Sequence, residues 1–124
     1  MTPMILLALV ALQAKHLVFD FLLQVPYMYA NKGRYGHPGG LAHAGLHGLG
    51  TLIVLMPFSV GFSCVLAIAA AEAVFHYHVD WAKEQVTSRH NLTTANTGFW
   101  AILGVDQAIH QLTYVAIVAI IWVG

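Results

Sequence analysis

Apolar residues dominate four stretches of this chain, and polar residues gather in the segments between them. The first stretch covers about 3–25 and stops near Pro26, the second about 41–56 and stops at Pro57, the third about 61–81, and the fourth about 98–123. Each is close to the roughly 20 residues that carry an α-helix across the hydrocarbon core of a bilayer, the second being the shortest. The first connection, Tyr27–Gly40, holds Asn31, Gly33, Gly36, Pro38, Gly39 and Gly40; Ser59 and Gly61 flank a tight second one; the third, Ala82–Thr97, is polar. Gly, Pro and Asn clusters of this kind punctuate helices. The pattern predicts an all-α fold: one integral membrane domain folded as an antiparallel four-helix transmembrane bundle. Met4–Leu12 followed by A-L-Q-A at 11–14 imitates a signal peptide, but the positive leader is missing and the apolar run continues to Leu22, so the segment reads as an uncleaved first span.

The polar residues inside the spans are not scattered. Each span carries one pair of metal-ligand residue types four apart: His16/Asp20, His43/His47, His76/Asp80 and Asp106/His110. All three aspartates of the chain belong to this set. Residues four apart share a helix face, one turn above the other. Ionisable groups within an apolar span are costly and mark a functional interior. One pair per helix, all aimed at the bundle centre, is the layout of an intramembrane metal site.

Composition and charge narrow the class. The chain has 124 residues, of which 59% are hydrophobic and 8% charged, against about 25% charged in soluble domains; mean hydropathy is +0.72. Zero formal net charge and the lack of a basic run leave no electrostatic footprint for nucleic acid. Cys64 is the only cysteine, which excludes an internal disulfide and a Cys-x-x-Cys metal site. Lys32 and Arg34 fall in the first connection, and Lys83 and Arg89 in the third. The positive-inside rule then places both connections in the cytoplasm and both termini on the other side, with a bacterial inner membrane as the expected location. Lys15 alone lies within a span, where snorkelling, pairing or holding an anionic substrate are its expected roles.

Topology brings the four pairs to one depth. His16/Asp20 and His76/Asp80 lie late in their spans, while His43/His47 and Asp106/His110 lie early, so all fall in the half nearest the first and third connections. Neutral imidazole and carboxylate suit zinc, iron and manganese, with zinc favoured here. Three ionised aspartates without counter-charge would be very costly in such an interior. Two divalent ions and a bridging hydroxide would balance them and supply an activated water; a single ion would leave several of the eight groups as hydrogen-bonding partners. Glu72 shares a face with His76 and Asp80 one turn deeper, and is the candidate catalytic residue, as general base, ligand or orienter. Gln24 and Gln107 are expected to bridge helices. Gly45, Gly48 and Gly50 give the second helix a small face for close packing, and Tyr77, Trp81 and Trp100 fit an interfacial aromatic belt. His78 points away from His76, and His37 and His90 read as solvated loop residues.

The segments His16–Gln24 (H-L-V-F-D-F-L-L-Q), Asn31-Lys32, His43–His47, His76–Lys83 (H-Y-H-V-D-W-A-K) and Asp106–His110 (D-Q-A-I-H) together resemble a small bacterial and phage membrane family catalogued as domain of unknown function 3307. The resemblance spans nearly the whole chain and implies no established activity. A looser resemblance, to bacterial inner-membrane proteins described as metal-dependent hydrolases, implies hydrolysis by analogy. Three functions follow as expectations. One is a metal-dependent hydrolase acting on a lipid or lipid-linked phosphate through an activated water. Another is a His-rich iron redox protein. The third is a non-catalytic small subunit of a larger membrane complex, or a homo-oligomer, with a structural metal.

Overall fold

A computed structural model describes residues 2–122. It is all-helical, with no strand among the described residues. Helix α1 spans Thr2–Leu17 and continues into a π turn over Val18–Leu22. A short helix α2 covers Pro26–Tyr29. Helix α3 runs Pro38–Leu55 and tightens into a 3₁₀ turn at Met56–Phe58; α4 runs Phe62–Arg89 and α5 Thr97–Trp122. Four of these segments are long and apolar enough to cross a membrane. The last residue assigned to the fourth span, Val123, lies outside the described residues.

Local chemistry explains where the helices differ from the pattern of the sequence. The first stops at Leu22 because Val25, preceding Pro26, takes an extended conformation with ψ 158°, as the proline ring requires of its neighbour. The third connects earlier than its hydrophobic pattern suggests: α3 starts at Pro38, a residue preset for the first helical turn, with His37 as N-cap accepting from the Gly39 amide. His37 is therefore a cap. Helix α4 continues past Trp81 to Arg89; its polar end has good helix formers in Ala82, Lys83, Glu84 and Gln85 and no glycine or proline to stop it. Lys83 and Arg89 accordingly sit on a helix.

The bundle has an apolar half and a polar half. Ala8, Leu12, Leu55, Val65, Tyr114, Ile117 and Val118 pack together as the hydrophobic core, and the buried ionisable residues lie beyond it, towards the end that carries the 23–37 and 90–96 connections. Those two connections share one end of the bundle: Gln85 Nε2 donates to the Gly33 carbonyl at 2.9 Å. The outer surface carries Leu6, Leu7, Val10, Phe21, Ile53, Leu66, Leu112 and Ile120, all exposed. Apolar side chains facing outward and charged ones facing inward invert the order of a water-soluble domain, as a bilayer solvent demands.

Lipid gives helices no hydrophobic reason to associate, so close backbone approach matters more. A Cβ at Gly48 would come within 2.9 Å of both the Ala69 carbonyl and Ala73 Cβ on α4, and one at Gly50 within 2.5 Å of the Phe19 ring and 2.8 Å of the Lys15 stem. Gly45 differs from its expected role, because nothing lies within 4 Å of a Cβ there. Tyr77 also departs from the interfacial belt: it is buried, and its hydroxyl accepts from the Gly36 amide. Gly48→Leu is expected to destabilise the bundle by about 1–3 kcal/mol, since the facing carbonyl cannot yield, whereas Gly45→Leu leaves stability unchanged. Thermal unfolding in detergent micelles measures both, and equal effects would refute the packing assignment.

Candidate metal centre

Each long helix delivers its polar pair to one place. His16 sits in the last turn of α1 and Asp20 in the π turn; His43 and His47 occupy the first turns of α3; Glu72, His76 and Asp80 line one face of α4; Asp106 and His110 lie on α5. All nine are buried, with His43, His47 and His76 no more than 1% exposed. The π turn has a visible part in this. The Leu23 amide bonds to the Val18 carbonyl at 2.9 Å, five residues back, and the wide turn presents Asp20 inward with Oδ2 3.2 Å from His16 Nε2. Such turns interrupt α-helices mostly at functional sites. The Asp20 carbonyl is taken up by Gln24 Nε2 at 2.7 Å, so Gln24 serves its own segment rather than bridging helices.

Asp20 Oδ1 is the focal atom. It lies 3.0 Å from Nε2 of both His43 and His47 and 3.8 Å from Nε2 of His76. The Nε2 atoms of His43 and His76 are themselves 3.2 Å apart. Four ligands at zinc distances of about 2.0–2.1 Å form a tetrahedron with edges of roughly 3.3–3.4 Å, and the observed separations bracket that value. Asp20 Oδ1 and His47 Nε2 are buried without a hydrogen-bond partner despite their closeness. Buried polar atoms are rarely left in that condition. Their lone pairs face a common point, as donors to a cation do, and the residues present fit a divalent metal. A second group stands beside the first: Asp80 Oδ2 is 3.4 Å from His76 Nε2, and Asp80 Oδ1 is 3.3 Å from His110 Nε2. Asp20/His43/His47/His76 and His76/Asp80/His110 are thus two buried clusters that could hold a metal ion, sharing His76.

Two of the eight expected ligands stand outside these clusters. His16 has both ring nitrogens engaged, Nε2 at 2.9 Å from Gln107 Oε1 and Nδ1 at 3.1 Å from the Tyr114 hydroxyl. Asp106 Oδ1 is 3.4 Å from His110 Nε2, and its Oδ2 accepts from Gln107 Nε2 at 3.2 Å. Gln107 also donates to Asp20 Oδ2 at 3.3 Å, so this side chain does bridge helices, tying α5 to α1. Glu72 lies on the far side of the imidazoles, 3.8 Å from His76 Nδ1 and 4.0 Å from His47 Nδ1.

Two lysines complete the electrostatics. Lys15 Nζ donates to Glu72 Oε1 at 3.1 Å, to the Thr51 hydroxyl at 3.0 Å and to the His47 carbonyl at 3.1 Å. The Thr51 hydroxyl in turn donates to Glu72 Oε2 at 3.1 Å. Lys15 therefore pairs within the bundle. Lys32, expected as a solvated loop cation, is buried instead and pairs with Asp80 Oδ2 at 2.7 Å.

A family model described as "Protein of unknown function (DUF3307)" matches residues 6–124. The chain belongs to this family. No curated protein and no solved structure matches it, so a hydrolytic reading of this DUF3307 member rests on its own residues. Among the segments that carry the family resemblance, Asn31-Lys32 gains a physical meaning here: it is the stretch that sends a lysine into the centre. Tyr114 and Thr51 were not legible as site residues, because neither shows a spacing that distinguishes it from ordinary helix positions.

Removing one member of a buried ion pair leaves the other charge uncompensated, at a cost of about 3–5 kcal/mol. Asp80→Asn is expected to show a loss of that order, and the double variant Asp80→Asn/Lys32→Met to recover most of it. A double-mutant cycle by thermal unfolding in micelles checks this. Additive losses would mean the two side chains do not pair.

Proposed function

We propose that this protein is an intramembrane divalent-metal protein of the bacterial inner membrane, with zinc the favoured ion, that hydrolyses a lipid or lipid-linked phosphate. The observation that carries the metal reading is the convergence of Asp20 Oδ1 with three imidazole Nε2 atoms in a buried place, two of the four atoms having no hydrogen-bond partner. Asp20, His43, His47 and His76 would hold the ion. When bound, it would lower the pKa of a coordinated water towards neutrality, which is the chemistry hydrolysis needs.

Two further features support a lipidic substrate. A groove of about 240 Å³ between α4 and α5, lined by Val79, Ala82, Val86, Ile102, Val105 and Ile109, also has Lys83 and Asp106 in its wall. An acyl or prenyl chain suits its apolar lining, and Asp106 connects it to His110 and the centre. The ammonium groups of Lys15 and Lys32 add positive charge on either side of the imidazoles, in keeping with an anionic headgroup. Glu72 supports the centre from behind: anchored by Lys15 and Thr51, it faces the Nδ1 edges of His47 and His76 and is assigned to turnover rather than to metal retention.

A non-catalytic subunit with a structural metal is the second reading, and one observation favours it. The Asp20 cluster already offers four ligands and is closed off, with His47 fully buried, and structural zinc sites are four-coordinate and closed, while catalytic ones keep an open position.

Protein purified without added metal is expected to contain a divalent ion by elemental analysis, and His47→Ala and Asp20→Asn to lose it. Glu72→Gln is expected to keep the ion and abolish release of phosphate from a lipid phosphomonoester or a polyprenyl diphosphate in nanodiscs. Loss of the ion from Glu72→Gln would make Glu72 a ligand; retained metal with no release from either lipid in the wild type would favour the structural reading.

Orientation follows from the basic residues that remain at the loop end. Arg34, Lys83 and Arg89 gather there, and the proposal puts that end in the cytoplasm with both termini opposite. A cysteine at Ser88, which is exposed, in a Cys64→Ser background is expected to resist membrane-impermeant thiol reagent in intact cells and to react after permeabilisation. Labelling from outside would reverse the topology.

A further inference from the structure

We infer that the centre takes one divalent ion, in the Asp20/His43/His47/His76 cluster, and that the Lys32 ammonium serves as its second cation, occupying the place where a two-metal site would have its other ion. The inference rests on the metal reading proposed above and replaces the dinuclear arrangement that paired ligands on four helices suggest. Three observations carry it.

Lone pairs come first. The two clusters share His76, and both approach it from Nε2: His43 Nε2 lies 3.2 Å from that atom on one side and Asp80 Oδ2 3.4 Å on the other. A neutral imidazole has one acceptor nitrogen, with one lone pair in the ring plane. The other nitrogen, Nδ1, faces Glu72 at 3.8 Å. His76 can therefore serve only one ion through Nε2. The Asp20 cluster keeps four donors with it; the Asp80 cluster without it keeps Asp80 and His110, with Asp106 Oδ1 3.4 Å from His110 Nε2.

Lys32 then takes the remaining carboxylate. Its Nζ is 2.7 Å from Asp80 Oδ2, a charge-assisted hydrogen-bond length, and the side chain is buried with its partner. A lysine reaching from a loop into a membrane interior is costly unless it is needed there. No free room for a second divalent ion remains beside an ammonium at that distance, because two like-signed charges would share one carboxylate.

The charge count agrees. Asp20, Glu72, Asp80 and Asp106 bring four negative charges to the buried centre, and Lys15 and Lys32 bring two positive ones. Lys83, nearby, is paired with Glu84 at 2.7 Å. With neutral imidazoles the centre lacks two positive charges, which one divalent ion supplies. Two ions would leave an excess unless a hydroxide or substrate anion joined them.

The test is stoichiometry in the full chain. Purified protein in nanodiscs, stripped with chelator, is titrated with Zn²⁺, and bound metal per chain is measured by elemental analysis after gel filtration. The wild type and Lys32→Arg are expected to bind one equivalent. Lys32→Met is expected to bind a second, weaker equivalent at Asp80, His110 and Asp106. Two equivalents in the wild type would overturn the inference, as would one equivalent of unchanged affinity in Lys32→Met. X-ray absorption of the zinc-loaded wild type needs no variant to fold: it is expected to show no metal–metal scattering at the roughly 3.5–4 Å of a two-metal site, and such scattering would refute the proposal. Absence of any bound zinc in all forms would remove the metal reading itself, and this inference with it.

Discussion

Buried charge governs this bundle. A carboxylate taken into a low-dielectric interior without a partner is so costly that it would take up a proton or prevent folding, yet Asp20, Glu72, Asp80 and Asp106 all lie inside four membrane-length helices. Their partners come from every part of the chain: Lys15 from α1, Lys32 from the first connection, His43 and His47 from α3, His110 and Gln107 from α5. Each helix must therefore be in place for the charges of the others to be tolerated. In a solvent that offers helices no hydrophobic drive, this mutual requirement binds the polar half of the bundle, while glycine–alanine contact between α3 and α4 and the core around Leu12, Leu55 and Tyr114 bind the rest.

Length, apolar runs and prolines made the four helices legible, because a transmembrane helix needs only length and composition to be recognised. The paired spacing made most of the centre legible for a similar reason: one-turn periodicity is a property of a single helix. What stayed hidden required two segments at once. Lys32 lies in a glycine-rich connection whose pattern says only that it turns, and nothing local reveals that this turn dips back to reach Asp80. Lys15 was visible as an anomaly, but its choice of Glu72 depends on how α1 meets α4. Likewise, His16 carries the spacing of a ligand and is diverted by Gln107 and Tyr114, both on another helix.

The polar residues of the centre fall into two grades of environment. The Asp20 side has oxygen and nitrogen atoms facing one another with few hydrogen bonds to satisfy them. The Glu72 side, by contrast, is a closed circuit of lysine, threonine and tyrosine donors on one carboxylate. An unsatisfied cluster resting on a satisfied one has a simple logic. The saturated network holds its geometry without help, and it fixes the backbone positions from which His47 and His76 project. The open cluster keeps its lone pairs for something else.

The π turn in the first helix has a consequence for the chain's register. An α-helix rotates by near 100° per residue, and the wide turn at Val18–Leu22 holds one residue more than an α turn would. Deleting a single residue there would restore a continuous helix and swing everything before it by about a quarter of a circle relative to Asp20. Lys15 and His16 would then leave the bundle interior and face the lipid, while Leu17 and Ala14 turned inward. The turn thus works as a spacer that keeps two differently phased stretches of one helix pointing at the same interior, and length at this point of the chain is as constrained as residue identity.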